Sequence, residues 1–341
     1  MPTDLTLPDP TPVLDLLQAF RWSKTMFAAI DLGVFDALDG KPQTLDALAK
    51  QLKCSTDGLE RLLDACAGLQ LLSKTNGIYA NTPVAATYLC HSSPRRLTGY
   101  MSWSNGFMWG LWSHLEDAVR EGSHRWQQAY GWDGPIFSHF FKSEDTKREF
   151  LMGMHGFGLI SSPHVVNAFD LSRFRTFVDL GGATGHLAIA ACERWPNLSG
   201  VLFDLPDAVP LATEIISQSA VKDRVQIVAG DFFENPLPPA DIYALGRILH
   251  DWTEAKIERL LKRIHQHLPV NGAILIAEKL LTDDKTGPRW AQMQSLNMLT
   301  CTEGKERTLG EYEALLKRAG FTEVTGCRTP SPLDAVLAKK A

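Results

Sequence analysis

The run Phe177-Val178-Asp179-Leu180-Gly181-Gly182-Ala183-Thr184-Gly185 reads as a β-strand that empties into a glycine turn and opens a helix. Glycine lets the backbone pass close to a ligand at the carboxyl edge of a sheet, where open α/β folds bind cofactors. The spacing differs from the Gly-x-Gly-x-x-Gly dinucleotide fingerprint, because this chain has Asp-x-Gly-x-x-x-Gly. A carboxylate at the strand end repels a pyrophosphate. It suits a cofactor that carries an amino-acid moiety and a sulfonium.

Around that run, β-rich segments (Thr176 to Leu180, Gly200 to Asp204, Val225 to Ala229, Ile242 to Leu245, Ala273 to Ala277) alternate with helical stretches such as Thr253 to Leu268. Alternation of this kind predicts an α/β fold, a parallel sheet with helices on both faces. Phe321 to Cys327 and Ala335 to Ala338 are expected to form an antiparallel hairpin at its edge. Asp204 ends the second strand, where a carboxylate can accept both hydroxyls of a ribose. Asp231 follows the third, beside Phe232 and Phe233, which offers an acceptor for an exocyclic amine and an apolar face for a purine.

Past the fourth strand stands Arg247-Ile248-Leu249-His250-Asp251-Trp252. A histidine at that edge, with an ordinary pKa near 6.5, suits a general base. Glu278, ending the fifth strand, or Glu306, in Gly304-Lys305-Glu306-Arg307-Thr308, could hold the second imidazole nitrogen. His265 and His267 lie on an amphipathic helix and receive no role; the Asp283-Asp284 pair lacks neighbours for a metal site, and no metal is expected.

Ahead of the sheet, Pro12 to Leu38 has helical apolar spacing broken at Gly33. Helices Thr44 to Leu52 and Ser55 to Leu69, each opening with a capping hydroxyl, then a turn at Thr75-Asn76-Gly77 and a short strand at Ile78-Tyr79-Ala80, give the helix, turn, helix, hairpin outline of a winged helix, a plan used by DNA readers and dimerisation modules alike. Gly99 to Asp170 reads as helical and crowds Trp103, Phe107, Trp109, Trp112, Trp126, Tyr130 and Trp132 together, as core or as the wall of a pocket for a flat ligand.

With 341 residues the chain is long enough for two domains, and its 45% hydrophobic and 21% charged composition is that of a globular protein. Its net charge of −5 offers no cationic field for nucleic acid or anionic lipid. The helix that would read DNA in a winged module, Ser55 to Leu69, carries Arg61 against Asp57, Glu60 and Asp64, which disfavours a regulator. Dimerisation is the better use, with Phe27, Ile30, Val34 and Phe35 expected to supply apolar surface for it. The six cysteines form no zinc or C-x-x-C spacing and are expected to be reduced and mostly buried, in a cytoplasmic protein. Met1 to Pro12 shows no signal-peptide pattern, and no stretch reaches the roughly 18 apolar residues of a membrane span.

The segments FVDLGGATGHLA, GVLFDLP, AGDFFENPLP, GRILHDW, ILIAEKLL and GKERT, in this order, resemble the S-adenosylmethionine-dependent small-molecule O-methyltransferases of the plant caffeate and acetylserotonin (hydroxyindole) type. The resemblance runs from Phe27 onward. It implies a Rossmann-like class I methyltransferase domain over 173–341, a helical substrate-covering segment over 99–172, and an all-helical winged-helix-like homodimerisation domain over 1–98. By position, Asp179, Gly181, Gly182 and Gly185 would face the methionine part of the cofactor, Asp204 and Leu205 the ribose, Asp231 and Phe232 the adenine, with Arg247 beside the pocket. His250 would be the base, with Asp251, Glu278 and Glu306 as supporting acids. Trp103, Phe107, Trp109, Met154, His155, Asn297 and Met298 would line the substrate pocket, and S-adenosylhomocysteine would leave as by-product. The family's usual third glycine is Ala183 here, and the residues between Trp103 and Phe157 match no one specificity class, so the acceptor stays open among small aromatic hydroxyls. The same fold also serves hydroxylation, decarboxylation or cyclisation in some relatives; His250, Glu278 and Glu306 together favour methyl transfer.

Overall fold

The computed structural model describes residues 7–134 and 143–341, so part of the Met1 to Pro12 segment, Asp4 included, lies outside the described residues. The chain forms two compact units, 1–105 and 106–341.

In the first unit, Gly33 at φ 75° ends the helix Thr11–Asp31 and starts Val34–Ala37, a backbone angle that costs glycine nothing. Thr44 and Ser55 cap Leu45–Leu52 and Thr56–Gly68 through bonds to Ala47 N and Gly58 N. The unit is not all-helical. Strands β1 (Gln43–Thr44), β2 (Leu72–Thr75) and β3 (Ile78–Asn81) form an antiparallel sheet in the order β1-β3-β2, the wing that the Asn76-Gly77 turn makes possible. A second expectation is also corrected. Ile30, Val34 and Phe35 belong to this unit's own core with Leu48, Leu63 and Tyr79, and Phe27 is buried, so none of the four is free for a partner. The first helix exposes a run of apolar residues, Val13, Leu14, Leu16, Leu17, Phe20 and Trp22.

The second unit is built on a seven-stranded sheet, β4 (Thr176–Leu180), β5 (Ser199–Asp204), β6 (Val225–Ala229), β7 (Ile242–Gly246), β8 (Ala273–Glu278), β9 (Thr322–Cys327) and β10 (Asp334–Lys339), in the order β6-β5-β4-β7-β8-β10-β9. All neighbours run parallel except β10, antiparallel to β8 and β9, so the hairpin expected at the edge is present. This is the Rossmann-like class I methyltransferase architecture. The order reverses between β4 and β7, the switch point beyond whose carboxyl ends such sheets bind ligands. Every residue of β8 is buried, as a strand covered on both faces requires.

One face packs against Glu254–His267 and Leu309–Arg318 through Ile257, Leu261, Ile264, Leu315 and Leu316. The other packs against His186–Arg194 and Val209–Ser217 and the end of the long helix Glu144–Asn167. Trp126, Tyr130, Trp132 and Phe107 form one aromatic cluster, with Trp126 and Trp132 nearly parallel at 5.6 Å; Trp126 is buried and the other three are half-buried. All six cysteines are free thiols, four of them buried. Among the described residues no helix is long and apolar enough to cross a membrane.

Candidate active site

The glycine turn after β4 is held by two carboxylates. Asp179, 1% exposed, accepts the Ala188 N–H through Oδ2, while its Oδ1 is buried with no partner among the described residues. Gly182 cannot be larger, since a Cβ there would lie 2.3 Å from Asp179 Oδ2. Gly181 (φ 70°) and Gly185 (φ 78°) take left-handed angles, and so does Ala183 at φ 53°, a residue for which that angle is strained. The Ala183 N–H donates to Asp204 Oδ2 at 2.7 Å and the Leu205 N–H to Asp204 Oδ1 at 2.7 Å. Burial pushes Asp179 up to about 7 and Asp204 up to about 6, against the backbone donors that favour their ionised forms.

The strand-end residues expected from the sequence converge on this edge. Asp231 Oδ1 accepts the Phe233 N–H, while Phe232 packs edge-on to Phe233 and lies 3.2 Å from where a Gly181 Cβ would stand. Arg247 has φ 58°, its guanidinium faces the Phe157 ring at 4.9 Å, and its buried Nε has no hydrogen-bond partner among the described residues. Strained backbone and unsatisfied buried polar atoms of this kind concentrate at functional sites.

Beyond β7, Leu249–Asp251 forms a single 3-10 turn carrying His250, 2% exposed. Of the two carboxylates left open by the sequence, Glu306 holds the imidazole, its Oε1 2.6 Å from His250 Nδ1. Glu278 instead binds the turn's backbone, accepting from Leu249 N at 2.7 Å and His250 N at 3.1 Å. His250 Nε2 lies 3.7 Å from Asp251 Oδ1, too far for a hydrogen bond. Burial disfavours the imidazolium, but Glu306, Asp251 and Glu278 outweigh it and push His250 up to about 9. Burial raises Glu278 to about 7 and Asp251 to about 6.

His250, Glu278 and Glu306 present ligand atoms within 4.8 Å of one another. His250 Nδ1 is engaged with Glu306 Oε1, and Glu278 with the Leu249 and His250 N–H groups and the Tyr312 hydroxyl, while Glu306 Oε2 is buried with no partner among the described residues.

The expected substrate residues are more dispersed. Asn297 and Met298 sit on the helix Arg289–Cys301, where Asn297 Oδ1 accepts Trp112 Nε1–H at 2.8 Å. His155 Nδ1 meets Thr184 Oγ1 of the glycine turn at 2.9 Å, and Met154 precedes it on Glu144–Asn167. Trp109 is half-exposed, Phe107 belongs to the aromatic cluster, and Trp103 falls in the first unit.

Sequence reading passed over Arg307, Tyr312 and Gly304. Arg307 is 1% exposed and donates to Leu249 O and Lys305 O. Gly304 abuts the His250 backbone, since a Cβ there would lie 2.2 Å from His250 O. A fully charged residue inside Gly304-Lys305-Glu306-Arg307-Thr308, flanked by apolar helices, was the available signal for Arg307.

Residues 112–322 match the O-methyltransferase domain and residues 14–91 the O-methyltransferase dimerisation domain. The chain belongs to the O-methyltransferase family. It is 40% identical over 338 residues to the acetylserotonin O-methyltransferase of Gallus gallus, covering 97% of each chain. It is also 40% identical over 336 residues to a Homo sapiens protein described as a probable bifunctional dTTP/UTP pyrophosphatase/methyltransferase, covering 98% of this chain but only 54% of that one. Among solved structures, human N-acetylserotonin methyltransferase in complex with SAM superposes with a TM-score of 0.92 at 35% identity, over 99% of this chain and all of that one.

Proposed function

We propose that this methyltransferase moves a methyl group from S-adenosylmethionine to the hydroxyl of a small aromatic metabolite of hydroxyindole or phenol class, with His250 as general base. Use of S-adenosylmethionine agrees with its family and with structural relatives solved with that cofactor or its demethylated product. The residues fit such a ligand. The Asp179 and Asp204 carboxylates, with Asp179 Oδ1 and Arg247 Nε lacking a partner among the described residues, stand at one sheet edge, a set suited to an amino-acid moiety and ribose hydroxyls. Asp179, Gly181, Gly182 and Gly185 would hold the methionine part, Asp204 and Leu205 the ribose, Asp231 and Phe232 the adenine, with Arg247 alongside. When bound, the cofactor supplies an electrophilic methyl group on a sulfonium.

The observation that carries the role of His250 is its buried 2.6 Å contact to Glu306, at the carboxyl edge that also carries Asp179 and Asp204. Nδ1–H donating to Glu306 leaves Nε2 as the proton acceptor and orients the ring. A phenol with pKa near 10 is scarcely ionised at neutral pH, and a positioned base is worth roughly 10²–10⁴ in rate. Neutral His250 is the competent form, so turnover should rise with pH towards the histidine's own pKa. His250 gives up its proton more readily when positive charge is bound nearby. Asp251 and Glu278 support the imidazolium formed on proton uptake.

Asn297, Met298, Met154, His155, Phe107 and Trp109 are proposed to shape the acceptor site. Boundaries at 98 and 172, a homodimer formed through the dimerisation domain, and a cytoplasmic location complete the proposal. The test is transfer of labelled methyl to a panel of hydroxyindoles, phenols, catechols and tyrosine-like acids. Product heavier by one methylene unit supports the reading. A product altered in any other way would select hydroxylation, decarboxylation or cyclisation instead.

A further inference from the structure

Leu309–Arg318 carries Tyr312, which is fully buried in the cluster that includes Leu315 and Leu316. Phenylalanine would fill that apolar space as well, and a buried hydroxyl is costly unless partnered. The Tyr312 hydroxyl donates to Glu278 Oε2. The other oxygen of the same carboxylate receives the N–H groups of Leu249 and His250. One carboxylate thereby ties β8 and a helix to the turn that presents the imidazole.

That turn needs external support, because a single 3-10 turn has weak hydrogen-bond geometry of its own. Glu303 N donates to Asp251 O at 3.1 Å and Arg307 Nη1 to Leu249 O at 3.3 Å, so the segment from 303 to 312 grips it from one side. We propose that Tyr312 is a positioning residue for the base, its hydroxyl keeping Glu278 ionised and locked onto the Leu249-His250 backbone. This rests on His250 being the base.

The charged groups facing Glu278 are His250, Glu306 and Arg307, with Asp251 and Arg247 flanking the imidazole. On β10, Asp334 pairs in register with Glu278, but its carboxylate is taken by Lys279, Arg328 and the N–H groups of Leu280 and Thr329. Burial already favours the neutral form of Glu278, and the donors oppose it. Loss of the phenol hydroxyl tips the balance towards neutral, weakening the acceptor for both backbone N–H groups.

The experiment compares kcat and KM against pH for the full chain and for Tyr312→Phe, Glu278→Gln, His250→Ala and the combined Tyr312→Phe/Glu278→Gln variant. Tyr312→Phe should lower kcat on its high-pH plateau about tenfold, leave the KM for S-adenosylmethionine within about twofold, and move the acidic limb of kcat to lower pH, because a neutral Glu278 no longer supports the imidazolium. In the Glu278→Gln background, which has no carboxylate to titrate, Tyr312→Phe should change kcat less than about twofold. An unmoved limb overturns the proposal, whether kcat is unchanged or falls uniformly with a lower Tm. So does full additivity of the two substitutions. Retained turnover in His250→Ala would defeat the reading of the base. Lost turnover there with an unmoved limb in Tyr312→Phe defeats only the assignment of Tyr312.

Discussion

Glu306→Gln removes one charge and almost no volume from beside the base. Oε1 of Glu306 lies 2.6 Å from His250 Nδ1, and both side chains are almost wholly buried, so solvent screens the contact little. A hydrogen bond to a charged group is worth about 1.5–3 kcal/mol net, and this short buried one belongs in the upper half of that range. At 1.4 kcal/mol per factor of ten, about 2–3 kcal/mol predicts that kcat on its high-pH plateau falls roughly 30- to 150-fold. The plateau is the place to measure. Removing the anion destabilises the imidazolium, so the pKa of His250 drops from about 9 and the limb of the pH profile moves to lower pH, which masks part of the loss at neutral pH. The assay is methyl transfer at saturating cofactor from about pH 6 to about pH 10, with cofactor affinity measured separately and expected to be unchanged. A plateau kcat within about threefold of wild type, or a limb that stays in place, would refute the stated role of Glu306.

Other consequences can be checked one at a time. Asp179 and Asp204 sit at about 7 and about 6 but are needed as ionised acceptors, so S-adenosylmethionine affinity should rise between about pH 6 and about pH 8; calorimetry in buffers of different ionisation heat should register proton release. The same raised values make the ligand-free fold bind more protons than the unfolded chain between the ordinary carboxylate range and about pH 7, so denaturant unfolding should show stability decreasing as pH rises through that window. Ala183→Gly relieves the left-handed angle and should raise stability by about 0.5–1 kcal/mol after glycine's entropy cost, read from the denaturation midpoint. Paired Leu14→Glu and Leu17→Glu changes on the exposed face of the first helix should give monomers in sedimentation runs if that face joins two copies.

The strands were legible because a parallel sheet covered on both faces leaves apolar runs ending in polar residues, and Asp179, Asp204 and Asp231 mark those ends. Helix starts were legible at Thr44, Ser55 and Thr253, hydroxyls that accept a backbone N–H of the first turn. In the first unit the hairpin strand at Ile78 was legible from the Asn76-Gly77 turn before it, whereas β1, two residues long, is too short for periodicity to register. Phe27, Ile30, Val34 and Phe35 were misplaced because apolar spacing along a helix marks a buried face without saying what buries it. The choice between Glu278 and Glu306 as partner of His250, and the grip of Arg307 and Tyr312, depend on contacts 28 to 58 residues apart in the chain.

The most direct test is His250→Ala assayed for methyl transfer and for cofactor binding in the same preparation. Affinity for S-adenosylmethionine should match wild type while turnover falls roughly 10²- to 10⁴-fold. Wild-type turnover in that variant, or no heat of binding with S-adenosylmethionine in the unaltered chain, would contradict the account.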